Sequence, residues 1–224
     1  MEYDSLLELV KKRRSIRKFK PEPIPDEYVD RIIEVARWSP SGANSQPWEF
    51  IVIKKQELKD RIIELINEHN TLTHKMELAR EPELRFKWSP PGYVRAPVFI
   101  LLCGDTRTED AYPLYVTLER GDSIFNSSQA SVFLYMTLAA TTLGLGAQWV
   151  SSIAHPYVQS LTKDLLGIPK ELEIYDMLAV GYPDAEPKAR LMRAKEEMVH
   201  CDYYDKTRYR TEQEIKEFIA SLRR

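Results

Sequence analysis

Residues 124–142 constrain this chain more than any other stretch, because they are apolar on nearly every side (Val132, Phe133, Leu134, Met136, Leu138, Ala139). A helix that is hydrophobic all round has to be enclosed by other elements, so this one is expected at the buried centre of the fold. Leu143-Gly144 ends it in the manner of a glycine C-cap. Apolar, β-prone runs at 49–53, 98–103, 147–150 and 173–180 read as strands, the first of them as a central one. Helical periodicity marks 5–12, a helix from Asp26 as N-cap to about Trp38, 56–67, and 157–166 closed by Gly167. From 69 to about 95 the periodicity fades while charge and large aromatics rise, as expected of a lid inserted in a compact domain. Thr211 and Glu214 have capping-box spacing before Ile215, Phe218, Ile219 and Leu222. An amphipathic helix so late needs a surface to dock on, and for the extension at about 200–224 a partner subunit is the expected one. The chain therefore reads as one mixed α+β domain over 1–224, with no repeat and no low-complexity tract.

Composition narrows the function classes. Apolar residues are 43% and charged residues 29%, and the net charge is −2. A nucleic-acid binder ordinarily carries a basic surplus that neutralises phosphates, so that class is disfavoured. Two distant cysteines, Cys103 and Cys201, make no disulfide framework, and a reducing cytoplasm is the expected compartment. No apolar run approaches the length that spans a bilayer, and none near Met1 resembles a signal peptide.

Two stretches carry chemistry. The first is Arg13-Arg14-Ser15-Ile16-Arg17, just beyond the opening helix; the second is Ser39-Pro40-Ser41-Gly42-Ala43-Asn44-Ser45-Gln46-Pro47-Trp48. Guanidinium forks match phosphate and carboxylate oxygens bidentately, and a hydroxyl between them both donates and accepts. The second stretch is a loop of small and amide side chains able to bring N–H groups to a polar heterocycle. Together they point to a ligand with an anion at one end and a flat hydrogen-bonding ring at the other. Read alone, a basic run is a solvated face or a nucleic-acid patch; the spacing between the two stretches favours the ligand.

The pattern Arg-Arg-Ser-x-Arg followed by Ser-Pro-Ser-x-x-Asn-x-Gln-Pro-Trp resembles the FMN-dependent nitroreductase family, which includes the iodotyrosine deiodinases. The resemblance extends over roughly 6–200. It implies a helix-flanked, mainly antiparallel sheet in an intertwined homodimer, with non-covalent FMN at the subunit interface and NADH or NADPH as reductant. It implies that Arg13, Arg14, Ser15 and Arg17 hold the cofactor's phosphate, ribityl chain and pyrimidine edge. Pro40, Ser41, Gly42, Asn44 and Gln46 would contact it from the loop. At the exit of the strand at 147–150, Val150, Ser151 and Ser152 would face the ring. Many nitroreductases have glycine there, whereas deiodinases have threonine, so the serine hydroxyls raise reductive dehalogenation as the alternative to reduction of nitroaromatics or quinones. The phosphate's remaining partners in the family come from a Lys-x-Arg near the C-terminus, matched here by Lys188 and Arg190, with Arg193 as second choice. Phe86, Trp88, Tyr93, Tyr112 and Tyr115 are the candidate walls of a substrate pocket, with plain packing as the other reading of each. A non-catalytic flavin-binding protein is the rival outside enzymology. His69 and His74 lack partners at metal-ligand spacing, so no metal is expected.

Overall fold

The computed structural model of the chain describes residues 2–80, 92–187 and 190–222. They fall into two compact units, Met1–Glu186 and Pro187–Arg224. The first carries α1 (Tyr3–Lys12), α2 (Asp26–Ala36), β1 (Trp48–Ile53), α3 (Gln56–Arg80), β2 (Val98–Asp105), α4 (Arg107–Asp110), α5 (Leu114–Thr142), β3 (Gly146–Val150), α6 (Pro156–Leu166) and β4 (Leu172–Gly181); the second carries α7 (Glu212–Ser221). The four strands form one antiparallel sheet in the order β1-β2-β4-β3.

The expected strands are all present, but β1 is an edge strand and not a central one. Its middle residues Phe50, Ile51 and Val52 are only half-buried, while β2 is buried from Val98 to Gly104. That continuous burial explains why the β2 sequence shows no alternation: both of its faces are covered. One face packs on α3 and α6 through Ile62, Leu65, Phe99, Leu101 and Val158. The other packs on α2 and α5 through Ile32, Ala36, Ile100, Val132, Phe133 and Met136. In β4 the register against β2 shifts between Leu102 and Cys103, which leaves Tyr175 as an extra residue. Such a bulge re-aims neighbouring side chains, and here Asp176 comes to face Trp149 of β3.

Helix α5 encloses Val132, Phe133 and Met136 completely, as its composition demands. It also begins ten residues earlier than its apolar run, with a kink at Arg120, and it keeps one stripe open. Ser127 is exposed on that stripe and Leu134 is 47% exposed. Helix α3 runs to Arg80 and not to Asn67. Its buried side chains stop at Ile66, and beyond that point nothing in the sequence breaks a helix before Pro82, so the helix continues with Leu72 and Met76 exposed. Asp26 is the first helical residue of α2 and not its cap; its carboxylate pairs with Lys54 at 2.7 Å. The cap signals at Gly144 (φ 72°), Gly167 (φ 67°) and the Thr211–Glu214 capping box all form.

Candidate functional site

The basic segment leaves α1 and joins the free edge of β3. Ser15 bridges Ala147, and the Ile16 N–H donates to the Ala147 carbonyl at 3.0 Å. Gly146 makes this approach possible, since a Cβ there would lie 2.6 Å from Ile16. Farther on, Phe19 bridges Pro183. Ile16 and Phe19 are buried anchors, so the polar residues beside and between them are left half-buried (Ser15) or exposed (Arg17). Arg13 is half-buried, and among the described residues no carboxylate pairs with Arg13 or Arg17. Arg14 behaves differently: its guanidinium donates to the carbonyls of Lys11 and Arg13 and so finishes the C-terminus of α1.

The loop at 39–48 is strained. Ala43, Asn44 and Gln46 have φ of 51°, 54° and 46°, a left-handed region that costs non-glycine residues about 1 kcal/mol or more each. Its surroundings hold it there. The Gly42 N–H donates to Ser128 Oγ at 3.2 Å, the Gln46 N–H donates to Ser41 Oγ at 3.0 Å, and Ser45 Oγ shares a 2.8 Å hydrogen bond with the Tyr112 hydroxyl. Gly42 has no room for a side chain, because Ile124 Cγ2 lies 2.0 Å from where its Cβ would be. Pro40 and Asn44 are exposed. The Gln46 amide donates to the Asn44 carbonyl at 3.3 Å, which leaves the Asn44 side-chain amide outside that contact.

At the exit of β3, Val150 is buried, Ser151 is exposed and Ser152 is half-buried in a short 3-10 turn, Ser151–Ala154. Two groups lie behind these serines. Tyr93 is 3% exposed, its ring packed edge-on to Phe99, and burial pushes its phenol up to about 12. Ser152 opposes that rise, yet among the described residues no partner reaches hydrogen-bond geometry, and the Tyr93 oxygen stays unpaired there. The second group is Asp176, missed in the sequence although a carboxylate in the middle of an otherwise apolar run, Ile174 to Val180, was the available signal. It is 6% exposed and accepts from Trp149 Nε1, whose indole stacks on Phe133. The β3–β4 register pairs Trp149 with Leu178 and ends at Val150 with Met177, so Asp176 lies one residue beyond the last pair, where the chain enters the turn that starts at Ser151.

Burial pushes the Asp176 carboxyl from its ordinary 3.8 to about 6, against the Trp149 indole that donates to it and the nearby Ser151 hydroxyl, both of which favour the anion. A carboxyl whose folded value is raised stabilises the fold below its unfolded value, and that contribution is lost as pH rises through the folded value. Asp176→Asn is therefore expected to gain stability relative to the parent between pH 4 and 6 and to hold a gain of up to about 3 kcal/mol at pH 8. Unfolding titrations in urea at pH 4 and pH 8 check this; equal differences at the two pH values would refute it.

The remaining candidates separate cleanly. Tyr112 is buried against the 39–48 loop, and Tyr115 is 67% exposed at the start of α5. Phe86, Trp88 and Lys188 lie outside the described residues. In the second unit Arg193 is engaged by Glu197, with Nε to the carboxylate at 3.3 Å, while Arg190 is exposed and has no ion pair among the described residues. No group of His, Cys, Asp and Glu among the described residues could hold a metal ion.

These features sit on a fold and a sequence that have relatives. The family model described as the nitroreductase family matches residues 10–182, and the chain belongs to that family. An iodotyrosine deiodinase of Hydra vulgaris is 33% identical over 179 residues, 76% of this chain and 62% of that protein. An iodotyrosine deiodinase of Thermotoga neapolitana is 31% identical over 195 residues, 84% of this chain and 93% of that protein. The chain thus spans less than two thirds of the Hydra protein but nearly all of the bacterial one. Among solved structures, oxidised iodotyrosine deiodinase bound to FMN and 3-iodo-L-tyrosine superposes with a TM-score of 0.67 at 26% identity, covering 89% of this chain and 99% of that one.

Proposed function

We propose that this chain is an FMN-dependent oxidoreductase that draws electrons from NADH or NADPH and delivers them to a flat, electron-poor acceptor such as a nitroaromatic or a quinone. The observation that carries the reading is the joining of Ser15 to Ala147, which sets the basic segment alongside the strand that ends in the serine pair. The residues fit the cofactor. Guanidinium groups at Arg13 and Arg17 without a carboxylate partner among the described residues suit a phosphate, and the strained, tied-down loop at 41–46 suits a rigid ligand clamp. The unpaired Tyr93 oxygen behind Ser152 marks a place where a polar partner is missing among the described residues. When bound, FMN supplies the hydride and electron chemistry, and the protein supplies position and electrostatics. Arg13, Ser15 and Arg17 bind and orient it, Asn44 and Gln46 offer amide groups, and Ser151 and Ser152 offer hydroxyls at the strand exit. Of the C-terminal candidates Arg190 is the stronger for the phosphate, because Arg193 already serves Glu197.

The same reading includes a homodimer. The open stripe of α5 and the apolar side chains of α1 (Leu6 47%, Val10 42% exposed) and α7 (Ile215 41%, Ile219 45%) are surfaces a second copy would cover. Dehalogenation of a halogenated phenol is the second reading, favoured by the serine hydroxyls and by relatives named as deiodinases. Anaerobic turnover separates them. The reconstituted protein, given NADH or NADPH, is expected to reduce a nitroaromatic or quinone far faster than it releases iodide from 3-iodo-L-tyrosine with dithionite. The reverse order would establish the second reading, and no turnover with any donor–acceptor pair would leave a binding protein.

A further inference from the structure

We propose that Asp176 is a positioning residue that sets whether the Ser151 hydroxyl faces the bound ligand as a hydrogen-bond donor or as an acceptor. The inference rests on the reading that FMN binds at this strand exit. Its basis is geometric. Asp176 is buried on the α5 side of the sheet, lies one residue beyond the final Val150–Met177 pair and so next to the turn that starts at Ser151, and has one side of its carboxylate held by the Trp149 indole. The other side is left for Ser151, whose hydroxyl favours the Asp176 anion. Among the described residues the one other titratable group facing the carboxyl is Tyr175 beside it on β4, whose phenol is pushed up first by burial and then by the carboxylate. Neither β2, where Leu102 is its partner, nor the facing stretch of α5 around Phe133 adds a charge to its surroundings.

The consequence follows from donor and acceptor counting. An ionised carboxylate can only accept, so the Ser151 proton points inward and its lone pairs point to the ligand. A protonated carboxyl keeps accepting from Trp149 on one oxygen and donates from the other, which turns the Ser151 proton outward. Titration of Asp176, raised by burial to about 6, switches between these arrangements around that pH. An oxidised flavin ring presents mostly acceptors, so the outward donor binds it better. The Asp176→Asn variant mimics the protonated form at every pH, since the amide oxygen can accept from Trp149 while the amide NH2 donates to Ser151.

The test is FMN affinity of the apo protein by flavin fluorescence between pH 5 and pH 8, for the parent, Asp176→Asn, Ser151→Ala and the double variant. The FMN phosphate itself titrates near 6, so the quantity compared is the ratio of two proteins' Kd values at one pH. The parent and Asp176→Asn are expected to bind alike at pH 5, with Asp176→Asn tighter by about 2- to 10-fold at pH 8, the range of one hydrogen bond. In the Ser151→Ala background the Asp176→Asn ratio is expected to stay flat. A ratio independent of pH, or a pH-dependent ratio that survives Ser151→Ala, overturns the inference while leaving FMN binding standing. Failure of all four proteins to bind FMN overturns both.

Discussion

Replacing Arg13 with alanine is expected to weaken FMN binding by about 10- to 150-fold, the range for losing charge-assisted hydrogen bonds to a phosphate. The side chain has no ion pair among the described residues, and the residue's contribution to α1 is its backbone N–H to the Leu9 carbonyl at 3.0 Å, which alanine keeps. Arg13 is half-buried, so losing the packing of its stem should cost no more than about 1 kcal/mol of stability. Arg13→Lys is expected to fall between, since it restores the charge without the planar fork. Fluorescence titration with FMN, paired with urea unfolding of the apo protein, separates the two effects. Lost stability with unchanged affinity would assign Arg13 to the fold.

The second large effect is structural and reaches the same segment from the other side. Gly92 packs directly on the backbone of Arg17: a Cβ at Gly92 would lie 1.6 Å from the Arg17 carbonyl oxygen and 2.8 Å from its carbon. Neither backbone can yield as a side-chain tip would. Gly92→Ala is expected to cost on the order of 3 kcal/mol, as overpacking does at its upper end. It should also displace Arg17 and so reduce FMN affinity even under conditions where the protein stays folded. Gly144→Ala is the control: a Cβ there meets nothing within 4 Å, its φ of 72° confines the cost to about 1 kcal/mol, and FMN affinity should not move. Equal losses of affinity in the two variants would show that general destabilisation, and not the Gly92–Arg17 contact, was being measured.

The parts of the fold legible in the sequence were those fixed by local pattern. The all-apolar run of α5, the unbroken apolar β2 and the capping box of α7 each announce an element whose type needs no tertiary information. Edges and ends were less legible. That β1 lies at a sheet edge depends on which strand pairs with which, and its apolar run reads the same in either place. The extension of α3 to Arg80 depends on an absence of stop signals over residues with ordinary helix propensity. In the site, the basic segment and the loop were visible as motifs, but the contact that joins Ser15 to Ala147 is long-range and leaves no local mark. Asp176 was harder still. A bulge at Tyr175 alters the alternation of β4, so the parity of the sequence does not tell which face the carboxylate takes. The strain at Ala43, Asn44 and Gln46 was also hidden, because a sequence of small and amide residues allows a left-handed turn without requiring it.

Flavin binding at this site is tested most simply by reconstituting the apo protein with FMN, followed by gel filtration with absorbance read at both the protein and the flavin bands. FMN is expected to co-elute at one per chain, the complex to elute as a dimer, and Arg13→Ala to lose the flavin on the column. Protein that elutes without flavin after incubation with excess FMN would contradict the assignment of these residues to a flavin site.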